Sequence, residues 1–270
     1  NALLTSFLYP RELMAEDKKA PKDNPATQTV VLLARPEFSA KQYAQNLKAD
    51  WGFETEDSDV GEENGSLVTL IDGMMVCVAM TPVPVPDGRA QRQAQTNYLW
   101  PEAQETAKAH QAYVTVSVQH NGHEPLDAGC LAVKLTASVL KQAAACGVLT
   151  AGTFMSPLFY KTNAEADCRR GRVPVMNLVY FGLYPHEDGE SMNGYTFGLA
   201  RLGAREVEVI RSLHEPQDIF NLMVTAATYM LDYHVRLKAG DTIGQKEGES
   251  FPITDGPGRA VDGNSLKIAY

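Results

Sequence analysis

The stretch from residue 67 to residue 110 decides how the first half of this chain folds. It begins with two apolar runs, LVTLI at 67–71 and MVCVAM at 75–80, with the dipeptide Asp72-Gly73 between them. Asp-Gly between alternating apolar runs is a strong signal for a two-residue turn, because that turn needs positive φ at both central residues. The pattern therefore predicts a β-hairpin.

A ladder of three prolines, Pro82, Pro84 and Pro86, follows the hairpin. Each proline lacks a backbone N–H, so this segment cannot be a central strand of a sheet. We expect an extended arm on the surface or along a sheet edge. A helix follows it, with Pro101 in the first turn, where the missing N–H costs nothing, and with its end near His110.

The flanking segments indicate an α+β fold. Residues 29–34 form a buried-strand pattern, Ser39 and Gln42 have the spacing of a helix N-terminus, and Gly52 ends that helix. Residues 112–118 alternate between apolar and polar, as a half-buried strand does. Strand, helix, strand, strand, helix, strand is the order of a ferredoxin-like fold (βαββαβ), and we expect both helices on one face of an antiparallel sheet.

The sequence pattern of the second half predicts a further α+β region with an antiparallel or mixed sheet. Its expected elements are a helix over 127–145, a short strand at 153–155, a polar loop over 161–172, a central strand over 173–184, a hairpin of 195–202 with 206–210, a helix starting at Pro216, and strands near 251–253 and 265–268. We expect a flexible lead-in over 1–28, a ferredoxin-like lobe over 29–125 and a second lobe over 126–270. One continuous domain over 29–270 is the alternative.

Composition limits the class of function. The chain has 270 residues, a net charge of −9 and 44% hydrophobic residues, which argues against a general nucleic-acid binder, since phosphate neutralisation needs a basic face. No apolar run reaches the roughly 18 residues that span a bilayer. The first residues lack a secretion signal, and the four cysteines form no Cys-x-x-Cys pair. We expect a cytoplasmic protein that does not act at a membrane.

The sequence offers few candidates for chemistry. His110 with Glu102, or with Glu105, is the candidate acid–base pair of a hydrolase. His120 and His123 lack the spacing of a zinc motif. Cys168, which precedes two arginines, is the one cysteine in a basic neighbourhood. We expect no catalytic set, no metal site and no cofactor.

Several motifs, in order, resemble the bacterial DUF4261 family, and the resemblance runs from about residue 29 to the end of the chain. The motifs that carry it are VVLL at 30–33, IDGMMV at 71–76, MTPVPVP at 80–86, NYLWPEA at 97–103, AHQAYVTVS at 109–117, GYTFGL at 194–199, GAREVEVI at 203–210 and LKAGDTIG at 237–244.

That resemblance implies context rather than chemistry. The family has no established function, so it supplies no catalytic residue. Tyr113 stands where the family pattern leads us to expect a histidine, which weakens any shared histidine-based mechanism. Members of the family occur in bacterial cytoplasm, some near effectors of secretion systems such as type VI, where small acidic α+β proteins act as immunity partners.

These observations favour a non-enzymatic cytosolic binding protein that neutralises a basic toxin effector. The expected binding surface combines an acidic loop with the proline arm, namely Glu54, Glu56, Asp57, Asp59, Glu62, Glu63, Pro82, Pro84 and Pro86. A hydrolase with a site between the lobes near His110 is the alternative. A module that oligomerises through its sheet edges is a third reading, and the sequence does not fix the oligomeric state.

Overall fold

The computed structural model describes residues 25–270 of the chain. Within them the chain divides into two compact units, a first unit of residues 25–178 and a second of residues 179–270. The α+β class is confirmed in both units. The division after Leu178 replaces the expected boundary at 125, because the strands at 145–155 complete the first sheet. Most of the expected flexible lead-in, residues 1–24, lies outside the described residues.

The first unit contains a six-stranded sheet in which every neighbouring pair is antiparallel, with strand order β2-β3-β4-β1-β5-β6. Its elements are β1 (Ala26–Leu33), α1 (Ala40–Trp51), β2 (Ser66–Ile71), β3 (Met74–Thr81), α2 (Arg89–Ala94), α3 (Ala103–Ala109), β4 (Ala112–Gln119), α4 (Pro125–Val139), β5 (Ala145–Thr150), β6 (Thr153–Met155), α5 (Pro157–Cys168) and α6 (Val175–Leu178).

The ferredoxin-like detail of the prediction is not confirmed. That fold would place the first strand beside the third, whereas here β1 lies between β4 and β5. The helices also differ from the expectation, because they cover both faces of the sheet. Val31 and Leu33 pack into the core that contains α1 and α4, while Val30 and Leu32 pack into a separate core with α2 and α3. A strand that is apolar on both sides needs cover on both sides.

Two local predictions in the first unit are confirmed. Asp72 and Gly73 have φ values of 51° and 80°, and Leu70 pairs with Met75 across the hairpin. Ser39 caps α1 by accepting a hydrogen bond from the Gln42 backbone N–H at 3.1 Å. Both features depend on residues close in sequence, which is why the sequence alone predicts them.

The second unit contains a mixed six-stranded sheet of order β10-β11-β12-β9-β8-β7, with β12 parallel to β9 and the helix α7 packed on β7, β8 and β9. Its elements are β7 (Tyr180–Pro185), β8 (Met192–Phe197), β9 (Val207–Ser212), α7 (Pro216–Leu231), β10 (Thr242–Ile243), β11 (Phe251–Pro257) and β12 (Asn264–Ile268). The predicted hairpin is observed as β8 and β9, and the helix begins at Pro216 as expected.

Three predictions in the second half are wrong. The expected loop over 161–172 lies largely in α5, whose N-terminus is capped by Ser156 and whose buried residues, Tyr160 and Ala164, share one helix face. The expected central strand over 173–184 is divided into α6 and the edge strand β7. The helix expected over 127–145 ends at Val139, and Ala145 already begins β5.

Candidate protein-binding surface

The acidic loop, residues 54–65, connects α1 to β2. The side chains of Glu54, Glu56, Asp57, Glu62 and Glu63 are exposed. A short 3₁₀ turn over residues 57–59 orders the loop, since the Asp59 carboxylate accepts the Glu56 backbone N–H at 2.9 Å. The loop backbone is therefore held in place while most of its carboxylates face solvent.

Asn64 ties the end of the acidic loop to the start of α1. Its side-chain oxygen accepts the backbone N–H of Lys41 at 2.7 Å, and its side-chain N–H donates to Ser39 Oγ at 3.2 Å. One residue further on, the Gly65 carbonyl accepts the Met80 backbone N–H at 2.9 Å. These bonds fix the loop against the end of β3, where the proline arm begins.

The proline arm, residues 82–86, leaves the end of β3. Pro82, Pro84 and Pro86 are all exposed, whereas Val85 is buried in the core beneath α2 and α3. The Val85 backbone N–H donates to Nε2 of His110 at 2.8 Å. The arm therefore presents its prolines to solvent while one side chain and one hydrogen bond hold it to the unit.

A pocket of about 420 Å³ opens where three segments of the first unit meet. These segments are the connection from β1 to α1, the end of β3 and the turn after α4. The lining residues are Pro36, Glu37, Phe38, Ser39, Met80, Gln142, Ala143 and Ala144. The Gln142 side chain bonds both the N–H and the carbonyl of Ser39, at 3.1 and 3.2 Å, and so braces one wall. Sequence reasoning missed this pocket, because its segments are remote from each other along the chain.

The pocket lies against the acidic loop. Ser39 and Met80, which line it, are the residues that bond Asn64 and Gly65 at the end of the loop. Pro82 begins the proline arm two residues after Met80. The end of the acidic loop is therefore hydrogen-bonded to two residues that line the pocket, and the proline arm begins two residues after one of them. The loop, the pocket and the arm together are the candidate surface.

The charge of this surface is negative. Several nearby basic side chains already have acidic partners: Arg35 with Glu37 at 3.0 Å, Lys48 with Glu54 at 3.0 Å, and Lys141 with Asp50. Lys41, at the start of α1, adds one further positive charge. Within residues 25–270, no ion pair involves the loop carboxylates Glu56, Asp57, Glu62 and Glu63.

The structure does not assemble the alternative catalytic pair. His110 is buried, with 4% exposure. Its Nε2 accepts the Val85 N–H, so its proton lies on Nδ1, which donates to the Ala107 carbonyl. Glu102 is exposed at the start of α3, and across the described chain neither a hydrogen bond nor an ion pair joins it to His110. Both ring nitrogens of His110 are therefore hydrogen-bonded to backbone groups, and the bond to Val85 attaches the proline arm to the first unit.

Cys168 and His120, two further candidates for chemistry, are also held by burial or by a hydrogen bond, whereas His123 is exposed. Burial raises the pKa of Cys168 to about 11, which opposes thiolate formation. His120 shares a hydrogen bond with Thr27 at 2.9 Å. In the part of the chain that the structure describes, no group of three or more His, Cys, Asp or Glu side chains could hold a metal ion. Nor does any helix there have the length and apolar character to cross a membrane.

Two buried carboxylates in the second unit were not anticipated from the sequence. Glu206 accepts the backbone N–H groups of Gly198 and Ala200 at 2.8 and 3.0 Å, together with the Thr196 hydroxyl at 2.7 Å. Burial is the largest influence on Glu206 and raises its pKa, although these bonds act in the opposite direction. The only signal in the sequence is the Glu206-Val-Glu208 alternation, which places both carboxylates on one face of a strand.

Glu208 is fully buried and binds a different loop. It accepts backbone N–H groups from Arg259 and Ala260, the Ser265 hydroxyl, and the Lys267 ammonium group at 2.9 Å. Burial by itself raises its pKa, but these bonds together outweigh burial, and the net pKa is lowered. The fully buried Ser265 is closed to any substrate. This cluster fixes a loop to β9 and offers no open site.

Comparison with family models confirms the resemblance to DUF4261, a domain of unknown function, over residues 195–269. The matched segment lies within the second unit and includes Glu206 and Glu208. The resembling motifs between residues 30 and 117 lie outside it, as do the acidic loop, the pocket and the proline arm. No curated protein and no solved structure matches the chain.

Proposed function

We propose that this chain, whose second unit carries the match to DUF4261, is a non-enzymatic binding protein of the bacterial cytoplasm that neutralises a basic toxin effector of a secretion system. The observation that supports the proposal is the exposed acidic loop of the first unit, whose end is hydrogen-bonded to Ser39 and Met80 beside a pocket, with the exposed proline arm starting two residues after Met80.

The surface has the physical properties of a site for a basic protein. Exposed carboxylates attract a positively charged partner over a distance of about 10 Å at 0.1 M salt and raise its rate of association. The prolines restrict the backbone of the arm before binding, so less conformational entropy is lost when a partner covers it. An effector bound at this surface is neutralised because this chain covers the active surface of the effector.

The other two readings have less support. His110 is occupied on both ring nitrogens, so no observation favours a hydrolase near it. The strand β2 is at a sheet edge, as an oligomerising module needs, but Val60 already bridges to Leu67 on its outer side. A light-scattering mass equal to one chain would count against the oligomerising module.

Co-expression with each effector encoded in neighbouring genes tests the proposal. We expect one effector to be toxic alone, to be tolerated with the intact chain and to purify with it. The double variant Glu62→Lys/Glu63→Lys should lose rescue and complex. The matched control, Glu187→Lys/Glu190→Lys, reverses two exposed charges in the second unit and should retain both. Absence of rescue and of complex with every effector would rule out the proposal.

A further inference from the structure

We infer that a second copy of this chain packs on the outer face of the first sheet, the face opposite α1 and α4, where the hairpin of β2 and β3 is left open. Two chains then form a weak, reversible dimer. The contact uses the face of the sheet and not the β2 edge. The inference goes beyond the proposed function and does not rest on it, because the acidic loop and the proline arm take no part in the contact.

The outer face consists of twelve side-chain positions on four neighbouring strands. Strand pairing places them in three rows that run from β2 through β3 and β4 to β1. The rows are Ser66, Ala79, Thr115 and Val30; Val68, Cys77, Ser117 and Gln28; and Leu70, Met75, Gln119 and Ala26. The intervening residues, such as Val76 and Val116, belong to the core that contains α1 and α4, because successive side chains of a strand point to opposite faces.

Helices cover only the neighbouring part of this side of the sheet. The core beneath α2 and α3 includes side chains of β1, β5 and β6, and within the described residues it includes none of β2 or β3. Leu70, Val68 and Met75 are 62%, 47% and 41% exposed. Cys77, beside them, is exposed as well. Contiguous apolar side chains at a surface are typical of contact sites, so the hairpin lacks the cover that the rest of the sheet has.

The absence of charge on the outer face favours a second copy as the occupant. None of the twelve positions holds a charged residue, although charged residues make up 21% of the chain. A chain with a net charge of −9 is repelled by its own copy over a charged surface, whereas two uncharged faces meet without that repulsion. A basic or an acidic partner finds no opposite charge there. The face is therefore complementary to itself.

The outer face is also flat enough for another sheet to approach it. Small residues occupy five of its twelve positions, namely Ala26, Ser66, Cys77, Ala79 and Ser117. Two sheets pack face to face at a separation of about 10 Å. In a two-fold dimer the same patch of both chains is buried. The arrangement that buries the whole apolar patch places the β2 side chains of one copy over the β3 side chains of the other.

The size of the outer face determines the strength of the dimer. With a rise of about 3.4 Å per residue and a strand spacing of about 4.8 Å, three rows on four strands cover about 20 Å by 19 Å. Two copies then cover about 800 Å² of flat area, which is less than the roughly 1,200 to 2,000 Å² of stable interfaces. We therefore expect a dimer that forms at high concentration and dissociates on dilution.

Sedimentation of the full chain from about 10 µM to about 1 mM, a range suited to a small interface, tests for the dimer. We expect the mass to rise from one chain towards two. The dimer should be stronger at about 1 M salt than at about 0.1 M salt, because salt screens the repulsion between acidic chains. A mass of one chain at every concentration and both salt levels would overturn the inference.

A matched pair of variants locates the contact. Leu70→Glu and Leu158→Glu add the same charge at two exposed leucines, the first on the outer face and the second in the first turn of α5. We expect Leu70→Glu to weaken the dimer about tenfold or more, as loss of a central contact does, and Leu158→Glu to dimerise as the unmodified chain does. Thermal unfolding checks that both variants are folded. A dimer of unchanged strength in Leu70→Glu, or equal weakening in both variants, would overturn the inference.

Cross-linking through Cys77 tests the contact in the unmodified chain. Cys77 is exposed in the middle row, whereas Cys130, Cys146 and Cys168 are partly buried. A bis-maleimide that spans about 10 Å, the separation of packed sheets, should join two chains mainly from Cys77 to Cys77, and Cys77→Ser should lose that product. Cross-links mainly through other cysteines, or none at concentrations where sedimentation shows a dimer, would overturn the inference even if Leu70→Glu failed to fold.

Salt and rescue separate the dimer from the proposed function. Binding of a basic effector at the acidic loop weakens as salt rises, whereas the dimer strengthens. Leu70→Glu should still rescue cells from the effector. Loss of rescue in folded Leu70→Glu, with an unmodified chain that stays monomeric, would assign the outer face to the effector and overturn the inference. A Cys77-linked dimer without any effector that forms a complex would support the inference and remove the proposed function.

Discussion

The carboxylates of the acidic loop and those of β9 show how the same chemical group serves two purposes. Glu62 and Glu63 are exposed in the first unit, with no ion pair in the described chain. Glu206 and Glu208 are buried in the second unit, where N–H, hydroxyl or ammonium donors surround them. A buried carboxylate with bonded oxygens holds its surroundings together, whereas an exposed one remains available to a partner.

The match to DUF4261 falls on the unit with the buried carboxylates. Glu206 fixes the segment around Gly198 and Ala200, and Glu208 fixes the segment around Arg259 and Ala260. The candidate binding surface belongs to the other unit. The family match in the second unit therefore covers the two buried carboxylates and leaves the candidate binding surface outside it.

The largest effect should come from Glu208→Ala. The substitution removes the partner of Lys267 and leaves that mostly buried ammonium group and two backbone N–H groups without their acceptor. Breaking a buried ion pair on one side costs about 3 to 5 kcal/mol, and the partial exposure of Lys267 favours about 3 kcal/mol. Denaturant unfolding measures the loss. The control Glu187→Ala, at an exposed position, should leave the free energy of unfolding within about 0.5 kcal/mol; equal losses would contradict a structural role for Glu208.

His110→Phe should have the next largest effect. It preserves a ring of similar shape but leaves the buried Val85 N–H without an acceptor, which costs about 1 to 3 kcal/mol. Hydrogen exchange at the Val85 amide should accelerate, since His110 is its hydrogen-bond partner. The control Glu102→Gln should change neither the free energy of unfolding nor the exchange rate of the Val85 amide. An unchanged exchange rate of the Val85 amide in His110→Phe would show that the hydrogen bond to His110 does not hold the arm in place.

The hairpin turn and the proline arm should respond differently. Gly73 has φ of 80°, and an added Cβ would lie 3.1 Å from His123 Nε2, so Gly73→Ala should lower the free energy of unfolding. The left-handed conformation costs a non-glycine residue about 1 to 2 kcal/mol. Pro84 is exposed, and Pro84→Ala should change stability by less than about 0.5 kcal/mol while weakening partner binding. Equal losses from the two changes would show that the arm is structural.

The two buried glutamates should titrate in opposite directions from the ordinary glutamate pKa. Carbon-detected NMR should show the pKa of Glu206 raised and that of Glu208 lowered. The stability that Glu206 contributes is present in acid and is lost as pH rises through its folded-state pKa. The stability that Glu208 contributes is present above the unfolded-state pKa and is lost as pH falls through its lowered folded-state pKa. Titration of both at the same pH would contradict the hydrogen bonding described for β9.

The sequence predicts those parts of the fold that depend on neighbouring residues. The hairpin at Asp72-Gly73 and the cap at Ser39 follow from local chemistry, and the α+β class follows from the periodicity of strands and helices. The strand order does not, because β5 pairs with β1 over more than a hundred residues. The unbroken apolar run from Val30 to Leu33 does indicate that other elements pack on both faces of the sheet, because a strand with one solvent-exposed face would alternate between apolar and polar residues.

The candidate surface was predicted in part. The acidic loop and the exposed prolines are visible in the sequence, since runs of charge and repeated proline favour the surface. The hydrogen bonds that join the loop to Ser39 and Met80 are not visible in the sequence, and neither is the pocket, because each depends on tertiary hydrogen bonds and packing. The sequence also does not predict the role of His110, because His110 accepts the Val85 N–H only when the proline arm follows its observed path.

The most direct test of the binding surface is the association rate of a cognate effector with Glu62→Lys/Glu63→Lys, measured beside the Glu187→Lys/Glu190→Lys control at two salt concentrations. We predict a fall of about tenfold or more at low salt for the first variant, with a weaker salt dependence and unchanged unfolding, because rim charges act mainly on association. The control should associate as the unmodified chain does. Equal association rates for both variants and the unmodified chain would contradict the assignment of the partner to the acidic end of the first unit.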